Sequence, residues 1–391
     1  MQEFIYKHRF LTAVYEGCRF VYAGSRKLFK KTEICPVWYS FNETPENTTT
    51  EALEINENWY SIKRPLYVNE HIYYNLDNAL AVNPKIKGFA LVVFMGVKDY
   101  LYVTPLIEAL AQKYSNVELW AYVNNNSPQV TELLKNNPHI KKVKTFKGFK
   151  NPCIWKNYDY SEVVQKAPKN FLVLPVYYEY KKISLHRTAS LFDTFGLTFN
   201  GRKNFPKPIF YLPEEIPAKV ADSLKTIKKS AKETKGIIFL KLDDGIYTYP
   251  EIDELVRKLI WDNYFVLSAT KSGVFDPHFQ MLEVKKFSFN EVCHLLSLLK
   301  KELPVKIISL CSEYWPVSAG LNIPNLGLQY YYEPKIHNLH YPNIMIMTEF
   351  KYSKVPSRNQ IVLHGEDFAR RDKKIIDFKV ETILKYLKNL I

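Results

Sequence analysis

The sequence predicts an α/β protein in which two Rossmann-like domains face a central cleft, flanked by an N-terminal extension and a C-terminal helix. Three observations predict it. From Gly88 onward, short continuous apolar runs of strand length alternate with helical segments, the pattern of a parallel sheet buried on both faces. The alternation stops in a polar, proline-bearing stretch from Gly201 to Pro213 and restarts at Gly236. And 391 residues exceed one ordinary core but suit two domains. The expected division is an extension over 1–80, a first domain over 81–205, a second over 206–365, and a C-terminal helix over 366–391 packing back on the first domain.

The extension interleaves basic and aromatic residues through Phe4 to Lys31. Phe4, Leu11, Val14, Cys18 and Val21 recur at helical spacing. Such a stripe fits a helix packed on the protein itself or on a second subunit, as in a homo-oligomer; contact with lipid or nucleic acid is the alternative.

In the first domain, Phe89 to Phe94 is a strand. Thr104 then reads as an N-cap with Pro105 at the first helical position, opening a helix to about Tyr114. Val117 to Val123 is the next strand, and Ser127-Pro128 starts a helix ending near Asn136. Val143 to Phe146 and Phe171 to Val176 read as strands, and His186 to Phe195 as a helix closed by Gly196.

In the second domain, Gly236 to Leu242 is a strand, Pro250 to Asp262 a helix and Phe265 to Ala269 a strand. Ser288 and Glu291 form a capping box for a helix to about Leu299. Ile307 to Leu310 is a strand, followed by a short helix near Pro316 to Leu321 and an apolar stretch from Asn325 to Leu328. Ile375, Ile376, Val380, Ile383, Leu384 and Leu387 mark an amphipathic helix at the end.

Hydrophobic residues make up 47% of the chain and charged residues 24%, which excludes wholesale disorder. No stretch has the roughly 18 uninterrupted apolar residues of a spanning helix, and MQEFIYKHRF lacks the apolar segment of a signal peptide. The expectation is a cytoplasmic protein, with peripheral contact at the inner face of a membrane as a further expectation. Five scattered cysteines without a C-x-x-C pair point to neither disulfides nor zinc. A formal charge of +14 attracts anions: nucleotide phosphates, nucleic acid or an acidic membrane surface.

In open parallel sheets, ligands bind beyond the carboxyl ends of the strands. That rule selects Gly96 to Asp99 in the first domain, and Lys241 to Gly245 and Cys311 to Trp315 in the second. Asp99 is the general-base candidate, with acceptance of backbone N–H bonds as the plainer role. Lys241 can meet a phosphate as a point charge or simply be solvated. Ser312 can bond a phosphate and Glu313 a ribose hydroxyl, or Ser312 can cap a helix. His186 and Arg187 open a helix and suit an anionic acceptor or an ordinary surface pair. Asp243 and Asp244 are adjacent with no third ligand nearby, so no metal is expected.

The stretch FALVVFMGVKDYLYVTPLIEALAQKYSNVELWAYVNNNSPQVTELLKNNPHIKKV resembles the start of glycosyltransferase family 9, the ADP-heptose:lipopolysaccharide heptosyltransferases. The shared order is an apolar strand, an Asp, a Thr-Pro-Leu helix start and a later Leu-Leu…Asn-Pro helix. The family's Asp falls on Asp99, with Pro105 and Leu106 in register. RTASLFDTFGL, ending at Leu197, and the later Pro208-Ile-Phe-Tyr-Leu are similar to its passage into the second domain. Lys98 stands where the family has Gly. Thr248-Tyr249-Pro250 replaces its Lys-Trp-Pro, and of its second signature, at Cys311 to Pro316, Ser312 keeps its chemistry.

The resemblance implies a glycosyltransferase of the B fold, inverting and independent of metal, with a nucleotide-diphosphate sugar as co-substrate and no cofactor. Asp99 would be the base. Lys241, Tyr249, Ser312 and Glu313 would hold the donor, and Lys98, His186 and Arg187 the acceptor, a glycan, lipid-linked or protein hydroxyl of bacterial surface glycan or glycoprotein synthesis. Two other readings stay open: a basic nucleic-acid-binding protein or DNA-modifying transferase, and a catalytically silent scaffold with this fold.

Overall fold

The computed structural model describes residues 66–68, 71–73, 76–94, 96–125, 127–147, 161–176, 188, 191–192, 195–197, 206–243, 248–283, 286–310, 314–328, 344–347 and 379–390. They build two six-stranded sheets with helices between and around them. The first sheet comprises β1 (Leu66–Val68), β2 (His71–Tyr73), β3 (Gly88–Val93), β4 (Glu118–Asn124), β5 (Ile140–Phe146) and β6 (Phe171–Val176). Their order is β2-β1-β6-β3-β4-β5. The β6-β3-β4-β5 part is parallel, while β1 joins β6 antiparallel through Tyr67 and Val173. Its helices are α1 (Leu76–Val82), α2 (Val97–Leu101), α3 (Thr104–Lys113), α4 (Pro128–Lys135) and α5 (Ser161–Lys166).

The second sheet comprises β7 (Ile237–Lys241), β8 (Phe265–Ser268), β9 (Phe279–Met281), β10 (Val305–Leu310), β11 (Asn325–Leu328) and β12 (Ile344–Met347). Its order is β12-β11-β10-β7-β8-β9, with every pair parallel. Its helices are α6 (Ala218–Ala231), α7 (Ile252–Trp261), α8 (Phe289–Lys300), α9 (Tyr314–Leu321) and α10 (Val380–Lys388).

Strand side chains alternate between faces, and that alternation decides the layers. Phe89, Leu91, Val93, Ala121 and Val123 of the first sheet enter the same apolar cluster as Ile237, Phe239, Phe265, Leu267 and Ile307 of the second. The intervening residues face away: Ala90, Val92, Trp120 and Tyr122 on the first sheet, Ile238, Leu240, Val266 and Ile308 on the second. One core therefore runs between the sheets, with α8 lying between α6 and α4. No helix among the described residues is long and apolar enough to cross a membrane.

Several local expectations are met. Ser288 and Glu291 form the capping box, Ser288 N donating to Glu291 Oε2 at 2.7 Å and Glu291 N to Ser288 Oγ at 3.3 Å. Thr104 differs: Val103 occupies the N-cap, and the Thr104 hydroxyl instead donates to Leu101 O and accepts from Ile209 N, both at 2.8 Å. A hydroxyl at a helix start can serve either the helix or a passing chain, and here the passing chain takes it.

Two placements correct the sequence reading. Leu66–Val68, His71–Tyr73 and the start of α1, read as part of the 1–80 extension, belong to the first sheet and its helices; three-residue strands are too short for periodicity to register. The C-terminal helix α10 packs on α7 of the second sheet, not back on the first domain, burying Val380, Ile383 and Leu387 beside Leu255 and Leu259. Its amphipathic stripe shows that one face is buried and leaves the receiving surface open. The helical stripe from Phe4 to Val21, residues 201–205 of the crossing stretch, and Ile375 and Ile376 lie outside the described residues.

The stretch 206–217 passes over α9, and Gly320 makes the close approach feasible: a Cβ there would lie 2.5 Å from Pro208 O and 2.6 Å from the Phe210 ring. Gly320→Ala is expected to lower unfolding free energy by about 1–3 kcal/mol, as overpacking does. The check is the urea midpoint, and an unchanged midpoint would refute the contact.

Candidate functional site

Each sheet has a place where the chain reverses its direction of growth, and in open parallel sheets such places are where ligand-binding crevices form. In the first sheet the chain goes from β3 outward through β4 and β5, then returns to β6 on the other side of β3. In the second it goes from β7 outward through β8 and β9, then returns to β10 on the other side of β7. The two reversal points confront each other. Helix α2, which follows β3, packs against α9, which follows β10.

Lys98 and Asp99 occupy the second and third positions of α2, so their backbone lies at this seam; their side chains fall outside the described residues. The neighbouring Tyr100 anchors the helix in the core, being 1% exposed. Burial pushes that phenol well above its ordinary pKa. Ser312 and Glu313, immediately before α9, lie outside the described residues, as do His186 and Arg187.

Lys241 ends β7, directly opposite Ser309 of β10. Its ammonium lies 2.6 Å from Asp243 Oδ1, with the lysine side chain 13% and the aspartate 26% exposed. The pair sits at the base of a tight excursion: Tyr249 N donates to Leu242 O at 2.8 Å, and Asp243 bridges Thr248. Tyr249 itself is 1% exposed, its ring packed within the cluster that contains Leu240, Leu242 and Ile252 and its hydroxyl donating to Glu251 Oε2 at 3.2 Å. Burial, with Glu251 beside it, raises its pKa.

Sequence reasoning missed the residues that fix these loops. Thr270, past the end of β8, accepts from Leu242 N at 2.7 Å, and Ser268 Oγ donates to Thr270 O at 2.6 Å. Asn325, read as part of an apolar stretch, is fully buried in β11 and joins three elements. Its Nδ2 donates to Ser318 Oγ at 2.5 Å and Tyr314 O at 3.3 Å, and its Oδ1 accepts from Ser309 Oγ at 3.3 Å. The start of α9 is thereby tied to β10 and β11. A polar residue opening an apolar run is the signal that could have found it, since a buried amide needs several partners.

A second set holds the crossing stretch. Glu108 of α3 accepts from the Tyr211 hydroxyl at 2.6 Å, lies 2.9 Å from His139 Nε2, and accepts from Gln112 at 3.1 Å. Burial opposes ionisation of Glu108, yet the Tyr211 hydroxyl, His139 and Gln112 together hold its carboxyl below the usual carboxylate range. With Thr104 on Ile209, these contacts pin residues 206–217 to the first sheet. Among the described residues no group of three potential metal ligands occurs.

No protein-family model matches the chain, and no curated protein does. Among solved structures the chain is similar to a glycosyl transferase family 9 protein from Veillonella parvula DSM 2008, with 12% identity, 78% of this chain and 98% of that one covered, and a TM-score of 0.49. It is also similar to the ADP-heptose lipopolysaccharide heptosyltransferase II of E. coli, with 12% identity, 77% and 98% coverage and a TM-score of 0.48. A further likeness is to an E. coli heptosyltransferase solved with ADP, with 13% identity, 78% and 100% coverage and a TM-score of 0.46.

Because the folded pKa of Glu108 is depressed, the stability it contributes is present above the ordinary carboxylate pKa and is lost as pH falls through the depressed value. Glu108→Gln should flatten that acid limb in denaturation curves taken from neutral to acid pH. Tyr211→Phe, which removes one hydrogen bond to a charged acceptor, should cost about 1.5 kcal/mol at neutral pH. A full acid limb in Glu108→Gln would show that the carboxylate is not clamped.

Proposed function

We propose that this chain is a glycosyltransferase: it moves a sugar from a nucleotide-diphosphate sugar to an acceptor hydroxyl, with inversion and without a metal. The observation that carries the reading is the seam itself. Helix α2, which bears Lys98 and Asp99, packs against the helix that begins one residue after Glu313. A helix from each sheet thus meets the other at the strand-reversal points, the kind of place where open parallel sheets bind ligands, and this supports the reading.

In the proposed reaction Asp99 accepts the acceptor hydroxyl proton as that oxygen attacks the anomeric carbon. The bond from that carbon to the diphosphate oxygen breaks on the opposite face, and the nucleotide leaves with the electron pair. Its growing negative charge needs fixed positive groups. Lys241, at the end of β7 where the second sheet reverses, would be one of them, and a diphosphate would displace its partner Asp243. Ser312 and Glu313 would contact phosphate and ribose, while Lys98, His186 and Arg187 would receive an acidic acceptor. Tyr249 would act from beneath, holding the β7 excursion in shape.

The first experiment is a thermal-shift panel of nucleoside diphosphates and nucleotide sugars, since a ligand that binds only the folded state raises its melting temperature. With the donor found, Asp99→Asn should lower turnover by about 10²–10⁴-fold, the usual worth of a general base, and leave nucleotide affinity intact. Lys241→Ala should weaken nucleotide binding. Nucleotide binding without sugar turnover in the unsubstituted chain would instead favour the silent scaffold, and Asp99→Asn with unchanged turnover would remove Asp99 from the mechanism.

A further inference from the structure

The face of the first sheet turned away from the shared core carries a basic cluster stacked on aromatic rings. β5 ends the sheet's strand order, and Trp120 and Tyr122 of β4 stand directly opposite Lys142 and Lys144. The Lys142 ammonium lies 4.5 Å from the Trp120 ring centroid; that of Lys144 lies 4.7 Å from the same ring and 5.7 Å from that of Tyr122. Two cations over one indole repel each other, and the ring faces offset only part of that. The nearby carboxylates are engaged elsewhere: Glu118 with Lys141 and the Trp120 Nε1, Glu162 with Lys166 and the Lys147 amide. Beneath the lysines, Tyr122 is 2% exposed and its hydroxyl has no hydrogen-bond partner. Two ammoniums thus share one indole ring, with a buried phenol ring beside one of them whose hydroxyl has no partner among the described residues. Lys144 and Tyr122 lie in the half of β5 and β4 nearer the carboxyl ends, and Lys142 lies just before the middle of β5.

We propose that Lys142, Lys144 and the Tyr122 hydroxyl form a binding site for a phosphate group. A tetrahedral phosphate, whether a free monoester or pyrophosphate or the diester of a lipid headgroup, offers several acceptor oxygens and a negative charge between the ammoniums. The site stands on the opposite face from the seam, so it holds whether or not the chain transfers sugars. A soluble phosphorylated compound and an anionic lipid headgroup present the same chemistry.

The test uses the full chain with two probes: pyrophosphate by calorimetry, and vesicles of phosphatidylcholine containing phosphatidylglycerol by sedimentation. The variants are Lys142→Gln/Lys144→Gln and Tyr122→Phe. Lys225→Gln/Lys229→Gln serves as a control that removes equal charge from exposed positions of α6. The lysine pair should lose about fivefold in vesicle affinity per charge, and Tyr122→Phe about tenfold in pyrophosphate affinity, with one hydrogen bond to an anion gone. The control pair should lose far less. Selective loss with pyrophosphate supports a soluble ligand, and selective loss with vesicles alone supports a headgroup. Equal losses in the control pair, binding of neither probe, or unchanged affinity in Tyr122→Phe would overturn the site.

Discussion

The packing of two parallel sheets onto one apolar core is the interaction on which the rest of this structure depends. Alternate residues of β3, β4, β7, β8 and β10 face inward to it, and α8 fills the space between α6 of its own sheet and α4 of the other. With the sheets fixed this way, the helices that leave the two chain-reversal points are pressed together. If each sheet buried its inner face separately, α2 and α9 would have no reason to meet. Apolar burial is non-directional, so shape selects this arrangement, as at Gly320, where only a residue without a Cβ lets the crossing stretch lie on α9.

Directional bonds then fix what the core leaves free. An unsatisfied buried polar group costs about 1–3 kcal/mol, so a buried amide or hydroxyl at a strand end anchors its neighbours strongly. Asn325 binds the start of α9, Thr270 binds the chain leaving β7, and Thr104 binds the chain entering the second sheet. Each anchor ties a strand end or a helix start to a neighbouring element that the apolar core alone would leave free to shift.

The excess of positive charge is distributed in two ways. Some lysines are matched, such as Lys241 with Asp243 and Lys113 with Asp77. Others, on β5, are stacked on aromatic rings instead. A matched lysine answers a ligand only by giving up its carboxylate, whereas a stacked one has charge to offer at once. The long-range field implied by a net +14 therefore has local ends of different character.

Much of the fold was legible because it is written in local periodicity. The apolar run before Phe94, the Ser288 and Glu291 capping box, and the restart at Gly236 are short-range signals, and each appears in the structure. The sequence by itself determined that strands and helices alternate, that both sheets are parallel at heart, and which loops stand at strand ends. The tertiary structure alone decided strand order, and with it that Lys241 lies beside β10, that α10 rests on α7, and that Leu66–Val68 and His71–Tyr73 add antiparallel strands to an edge. It alone also revealed Asn325 as an anchor and Tyr249 as part of the core. The physical reason is one of range: periodicity reports that a face is buried, while the partner of that face is chosen by residues far away in the chain.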